Sequence, residues 1–199
     1  MRIKWFSLIR ITGLLLVLLY HFFQTIFPGG FFGVDVFFTF SGFLITSLLL
    51  EEFGKARQID LLGFFKRRFY RIVPPVVLMV LVTMPFTFLV RQDYVAGIGG
   101  QVAGVLGFMT NFYEMLTGGS YESQFIPHLF VHNWSLAVEV HYYILWGLAV
   151  WFLSKRSKSS SQLRGMVFLL SAGAFIISFF SMFIGSLMAS SYSSVYFSS

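Results

Sequence analysis

The 199 residues contain no cysteine, which excludes a disulfide, a thiolate nucleophile and a cysteine-ligated zinc. Charge is scarce too. Only 11% of residues are Asp, Glu, Lys or Arg, less than half of the roughly 25% usual in soluble domains. What fills the space is apolar: 57% hydrophobic and 20% aromatic residues, with 27 Phe, nine Tyr and four Trp. Mean hydropathy is +0.79. In water such a surface would be covered in aromatic patches. The composition excludes an ordinary soluble globule, a disordered chain and a nucleic-acid module. It is that of an all-α integral membrane protein, a polytopic bundle of transmembrane helices.

Fourteen basic residues stand against eight acidic ones, a formal net charge of +6. They sit in short tracts between apolar runs, where the positive-inside rule accounts for them. MRIKWFSLIR followed by ITGLLLVLLYHFF resembles a secretory signal, but no small-residue cleavage site follows. An uncleaved first span over about 6–27 is expected, closed by the Pro28-Gly29-Gly30 turn. A second span is expected over 31–50, then a polar, basic connector over 51–73. A third span follows over 73–90, with Pro74 and Pro75 in its first turn and Arg91-Gln92-Asp93 at its end. The last two are expected over 129–153 and 166–188. The segment 95–116 is apolar but carries Gly97, Gly99, Gly100, Gly104 and Gly107. If it spans, the tract Lys155, Arg156, Lys158 and Arg164 lies on the opposite side from the basic connector. If it does not, both tracts share the cytoplasmic side with the N-terminus. Residues 91–128 are therefore read as extracytoplasmic or re-entrant. The tail, ending VYFSS, reads as the start of an outside loop of a longer protein.

Ionisable residues inside a membrane cost about 2.5–3.5 kcal/mol each on insertion scales, so each one asks for a reason. Arg10 and His21 fall on one face of the first span, roughly 16 Å apart along its axis. His21 can serve as a general base or accept an acyl group, or it can simply bond a neighbouring helix. Asp35, among aromatics at the start of the second span, can orient His21 or cap its own helix. Ser41 and Gly42 suit close helix packing, with a nucleophilic Ser41 the sharper alternative. Arg67, Arg68 and Arg71 form a cationic cluster suited to phosphate, or else plain positive-inside charge. HNWSLAVEVHYYILW holds Trp134, Ser135 and Glu139 at the outer edge of a span. There Ser135, Glu139 and Tyr143 stack at i, i+4 and i+8. The aromatics alone fit an interfacial belt, but Glu139 does not. The spacing of His and Glu supports no metal site.

Taken in order, these blocks resemble the membrane acyltransferase-3 family, over nearly the whole chain. RITGLLLVLLYH resembles its Arg and His separated by ten residues, and PGGFFGVDVFFTFSGFLIT its glycine-rich hairpin. FFKRRFYRIVPP resembles its basic connector, HNWSLAVEVHYYILW its WSL-x-x-E block, and VYFSS the opening of a later motif. Val140, His141 and Tyr142 depart from the family's usual Glu, Gln and Phe, on the acceptor side.

The resemblance implies the front half of a fold of about ten spans in the bacterial plasma membrane, N-terminus cytoplasmic. It implies O-acylation, with acetyl-CoA or another acyl-CoA as donor and no permanently bound cofactor. The acceptor would be a hydroxyl of an extracytoplasmic envelope glycan, peptidoglycan first among them. Arg10 and His21 match the family's essential pair, with His21 as catalytic base or acyl relay. Arg68 and Arg71, with Arg67 beside them, match positions that hold the CoA phosphates. Glu139 matches the acid at the acceptor end, beside Trp134 and Ser135. Some members carry an extracytoplasmic esterase-like domain, which here would lie beyond residue 199. Two rivals stay open: the same fold acylating another polysaccharide, a lipid or a small molecule, and a non-enzymatic carrier.

Overall fold

The computed structural model describes residues 4–23, 25–89, 97–117 and 128–188. The Arg91-Gln92-Asp93 stop and the VYFSS tail lie outside the described residues. Among those described there is no strand. The helices are α1 (Lys4–Phe22), α2 (Phe32–Ala56), α3 (Leu61–Phe86), α4 (Ile98–Leu106), α5 (Thr110–Thr117), α6 (Trp134–Arg156) and α7 (Ser160–Met188). The chain divides into two compact units, Met1–Glu52 and Phe53–Ser199.

In the first unit, a 3-10 turn at Pro28–Phe31 folds α2 back on α1. Glycines let the two backbones meet. A methyl group on Gly33 would lie 2.6 Å from the Gly13 carbonyl oxygen and 2.8 Å from Val17. In a membrane, where removing apolar surface from water no longer drives association, such close contact is what holds helix pairs together.

In the second unit, α3 and α6 run antiparallel. Gly147 packs on Phe64 and Phe65, Arg68 lies over Tyr143, and Ile72, Pro75 and Val76 share a pocket with Leu136 and Glu139. Steps of four along α3 meet steps of four or less coming back along α6, the rows that interlock when helices pack. Val76 and Val80 of α3, Val105 of α4 and Phe130 form one buried apolar cluster.

Two expectations change here. The third span was placed at 73–90 after a polar connector over 51–73, but α2 runs to Ala56 and α3 begins at Leu61. Asp60 starts α3, its carboxylate accepting from the Gly63 amide at 2.9 Å. The basic residues sit within the helix because Phe64 and Ile72 keep an apolar stripe between them. At 26 residues, α3 is about 39 Å long, beyond the roughly 30 Å hydrocarbon core, so a charged end can reach the interface. Pro74 and Pro75 are accordingly mid-helix. They deny the Tyr70 and Arg71 carbonyls their i+4 amide donors. Among the described residues, four helices are long and apolar enough to span, Phe32–Ala56, Leu61–Phe86, Val131–Arg156 and Ser160–Ile184. The fifth expected span, the first in the chain, has a shorter apolar stretch, Ile11–Phe22.

The described part of 95–116 forms α4 and α5, of nine and eight residues, each too short to span. Glycines explain their pairing. Tyr113 of α5 lies on α4, where a methyl at Gly100 would come within 2.8 Å of its ring. Its hydroxyl donates to the carbonyl of Gly97, which has φ +66°. Further on, Arg57 donates to the Lys158 carbonyl and to Ser160 Oγ. The α2–α3 and α6–α7 linkers therefore sit side by side, and the chain leaves along α3 and returns along α6.

Candidate functional site

A pocket of about 230 Å³ opens between α3 and α6, lined by Arg68, Arg71, Pro75, Leu136, Glu139 and Tyr143. Each polar group is placed by the helix pairing. Arg68 and Arg71 are one turn apart on α3, and Glu139 and Tyr143 one turn apart on α6. The Tyr143 hydroxyl donates to Glu139 Oε1, the i, i+4 contact that the sequence spacing predicts. The Arg68 guanidinium carbon lies 5.6 Å from the centre of the Phe64 ring and 5.5 Å from that of Tyr143. Such stacking suits a guanidinium, which is planar and less strongly hydrated than an ammonium. Arg68 Nε is buried and has no hydrogen-bond partner among the described residues. A buried charged donor left unmet is costly, so this nitrogen is a standing demand for an acceptor.

Arg68 and Tyr143 also line a second, larger space of about 660 Å³. Its other walls are almost wholly apolar: Leu62, Phe65, Phe69, Val73, Phe108 and Ile144 among them, with Lys66 at one side. A cationic pocket and an apolar groove thus share one wall. The arrangement can hold an anionic head in the first and a hydrocarbon or thin flexible arm in the second.

Of the residues singled out in the sequence, the structure brings together Arg68, Arg71 and Glu139. The sequence layout set Glu139 at the far end of a path from the arginines; the antiparallel pairing puts them on facing turns. Arg67 is exposed and lines neither space. Trp134 is buried at the start of α6, and Ser135 Oγ donates to the His132 carbonyl at 3.4 Å. Neither lines the pocket. His21 and Asp35 belong to the first unit. His21 is exposed, and its Nδ1 donates to the Val17 carbonyl at 2.7 Å. Nε2 is then the unprotonated nitrogen of the neutral ring. Asp35 lies in the first turn of α2, where a carboxylate suits the helix dipole. It makes no hydrogen bond to His21 among the described residues. Arg10 is on α1, but its side chain lies outside what the structure describes. No three His, Asp or Glu side chains among the described residues converge as metal ligands.

A second polar group lies outside every block singled out in the sequence. Glu114 of α5 is 1% exposed and bonds His128, Oε2 to Nδ1, at 2.8 Å. Burial raises its carboxyl above the ordinary carboxylate value, while the hydrogen bond and charge of His128 oppose the rise. Thr110 and Asn111 share its buried face. The one local signal was the polar stripe Thr110, Asn111, Glu114 opposite Phe112, Met115 and Leu116. Nothing in the spacing connects it to His128.

The model of the acyltransferase domain family matches residues 3–198. The chain belongs to the acyltransferase-3 family. Acyltransferase-3 relatives among curated proteins include O-acetyltransferase OatA of Staphylococcus aureus strain NCTC 8325. It is 33% identical over 171 residues, covering 85% of this chain and 28% of that protein. The OatA proteins of strains COL and MRSA252 match with the same identity and coverage. The chain therefore spans between a quarter and a third of the length of these relatives. No solved structure matches.

Proposed function

We propose that this chain is the front part of a membrane O-acyltransferase. In this reading it moves an acetyl group from cytoplasmic acetyl-CoA to a hydroxyl of an extracytoplasmic envelope glycan, peptidoglycan first among the candidates. The N-terminus is cytoplasmic and the membrane is the bacterial plasma membrane. The reading rests on family membership and on one observation: Arg68, whose buried Nε has no partner among the described residues, lines a pocket together with Arg71.

Two guanidiniums against one carboxylate leave the pocket with net positive charge, suited to the phosphates of CoA. The Tyr143–Glu139 hydrogen bond occupies part of the carboxylate's accepting capacity, which lessens its opposition to an anion. The adjoining apolar groove suits the long arm that carries the thioester. His21, with its proton on Nδ1 and its lone pair on Nε2, is the base or acyl relay, and Arg10 on the same helix is its partner. Arg67, Trp134, Ser135 and Asp35 stand outside the pocket, and in this reading they hold the donor's rim, the start of α6 and the α1–α2 hairpin.

The test is the O-acetyl ester content of purified cell wall from strains carrying the full-length protein or His21→Ala, at matched membrane levels. Loss in the variant supports transfer with His21 in the chemistry. Loss in the deletion strain alone keeps the enzyme and makes His21 structural. No change in either removes the wall as acceptor. In purified membranes, turnover independent of acyl-CoA would favour a carrier instead.

A further inference from the structure

The α4–α5 segment carries a polar cluster that the proposed donor pocket does not use. Helix α5 is inverted relative to a helix in water. Phe112, Met115 and Leu116 are exposed, whereas Thr110, Asn111 and Glu114 are 2%, 5% and 1% exposed. Its buried face is wholly polar. In lipid that is the sensible arrangement, since the outside must be apolar and a polar interior has to serve some purpose. Two atoms on that face, Thr110 Oγ1 and Asn111 Oδ1, are buried without a hydrogen-bond partner among the described residues. Beside them Glu114 holds His128 by Nδ1, and Tyr113 lies against the imidazole with ring centres 5.5 Å apart. His128 is itself 20% exposed. A buried carboxylate holding Nδ1 of a partly exposed imidazole makes an oriented base, with Nε2 the nitrogen Glu114 does not engage.

We propose that His128 is the base for the acceptor hydroxyl, that Glu114 positions it, and that Thr110 and Asn111 bind other hydroxyls of the same glycan. The proposal rests on the acyltransfer reading above and adds the acceptor subsite to it. The chemistry of the cluster selects the acceptor over the donor. Among the groups named there is a carboxylate and no Lys or Arg, which disfavours phosphates. A hydroxyl and an amide oxygen, both unmet, complement the hydroxyls of a sugar. With His128 as the acceptor's base, His21 keeps the relay role. In the step itself, His128 Nε2 takes the proton of the acceptor hydroxyl while that oxygen bonds to the carbonyl carbon of the activated acyl group. The bond from that carbon to its carrier breaks, the carrier leaves with the bonding pair, and the imidazolium gives up the proton to balance it.

The experiment uses full-length protein in proteoliposomes, with acetyl-CoA and a β-1,4-linked N-acetylglucosamine tetramer as probes. His128→Gln keeps an amide donor for Glu114 but removes the base, and should lower kcat for transfer by about 100-fold. Binding of acetyl-CoA should stay unchanged. Glu114→Gln should lower kcat while leaving KM for the tetramer unchanged, a split that a purely structural lesion would not give. Asn111→Leu should raise KM for the tetramer about tenfold. If wild type transfers and His128→Gln transfers within twofold of it, the acceptor-base role is overturned and the acyltransferase reading stands. If wild type itself acetylates no tetramer, the glycan reading and this subsite fall together.

Discussion

Glu139 and Glu114 are both buried or partly buried carboxylates in a chain that has few, and they are secured in opposite ways. Glu139 is tied along its own helix to Tyr143, four residues on, and faces arginines across a helix pair. Glu114, on a helix too short to span, is tied to a histidine fourteen residues away in the chain. The first is a carboxylate facing two guanidiniums across a pocket. The second is a charge matched by one imidazole and surrounded by neutral polar groups. Under the two proposals above, the difference is how a membrane protein would separate two binding tasks: with guanidiniums for an anionic ligand, with hydroxyls and amides for a neutral one.

The sharpest way to break the comparison is at the Arg68 pocket. Arg68→Ala in the full-length protein should cut acyl transfer by about 100-fold, as loss of a strong charge-assisted bond of about 3 kcal/mol would. Arg68→Lys should restore little of it, because an ammonium can neither stack between Phe64 and Tyr143 nor present the fork. An active Arg68→Lys would mean that only net charge counts there.

Next is the stability of the Glu114 pair. Glu114→Ala should destabilise the detergent-solubilised protein by about 1–3 kcal/mol, seen as a lower Tm, by leaving His128 without its buried partner. A pH titration sharpens this. The folded carboxyl, raised above its ordinary value of 4.5, holds its proton to higher pH than the unfolded chain does. Its stabilisation is complete below that ordinary value and is lost as pH climbs through the folded one. The Tm of wild type relative to Glu114→Gln should therefore fall from acid toward neutral pH. Parallel curves would show that burial does not govern this group.

Smaller effects test the scaffolds of the two carboxylates. Gly100→Ala should cost about 1–2 kcal/mol, since its methyl would meet the Tyr113 ring at 2.8 Å. The lesion should appear as faster hydrogen exchange confined to α4 and α5. Asp60→Ala, at the start of the helix that carries Arg68, should cost about 1 kcal/mol for the lost cap. It should show in the exchange of the first turn of α3.

Much of this was legible without coordinates, and the reasons are local. Lipid demands long apolar runs, so α2, α6 and α7 could be read from hydropathy, as could the failure of the glycine-rich segment to make one uniform helix. The Glu139–Tyr143 contact followed from helical period alone. The start of α3 was misread because six basic residues between 55 and 71 resemble a connector. A capping Asp60 and an apolar stripe between the charges outweigh that resemblance.

The sequence by itself determined what is set by neighbours along the chain: a helical membrane protein, the basic tracts, the arginine cluster and the WSL-x-x-E block. Only the tertiary structure decided what is set by neighbours across it. The antiparallel pairing of α3 and α6 brings Arg68 and Arg71 to Glu139, and the fold of the α4–α5 segment brings His128 to Glu114. Those pairings depend on how helices pack, because the energy of a buried charge lies in the partner it meets, and no residue spacing records that partner.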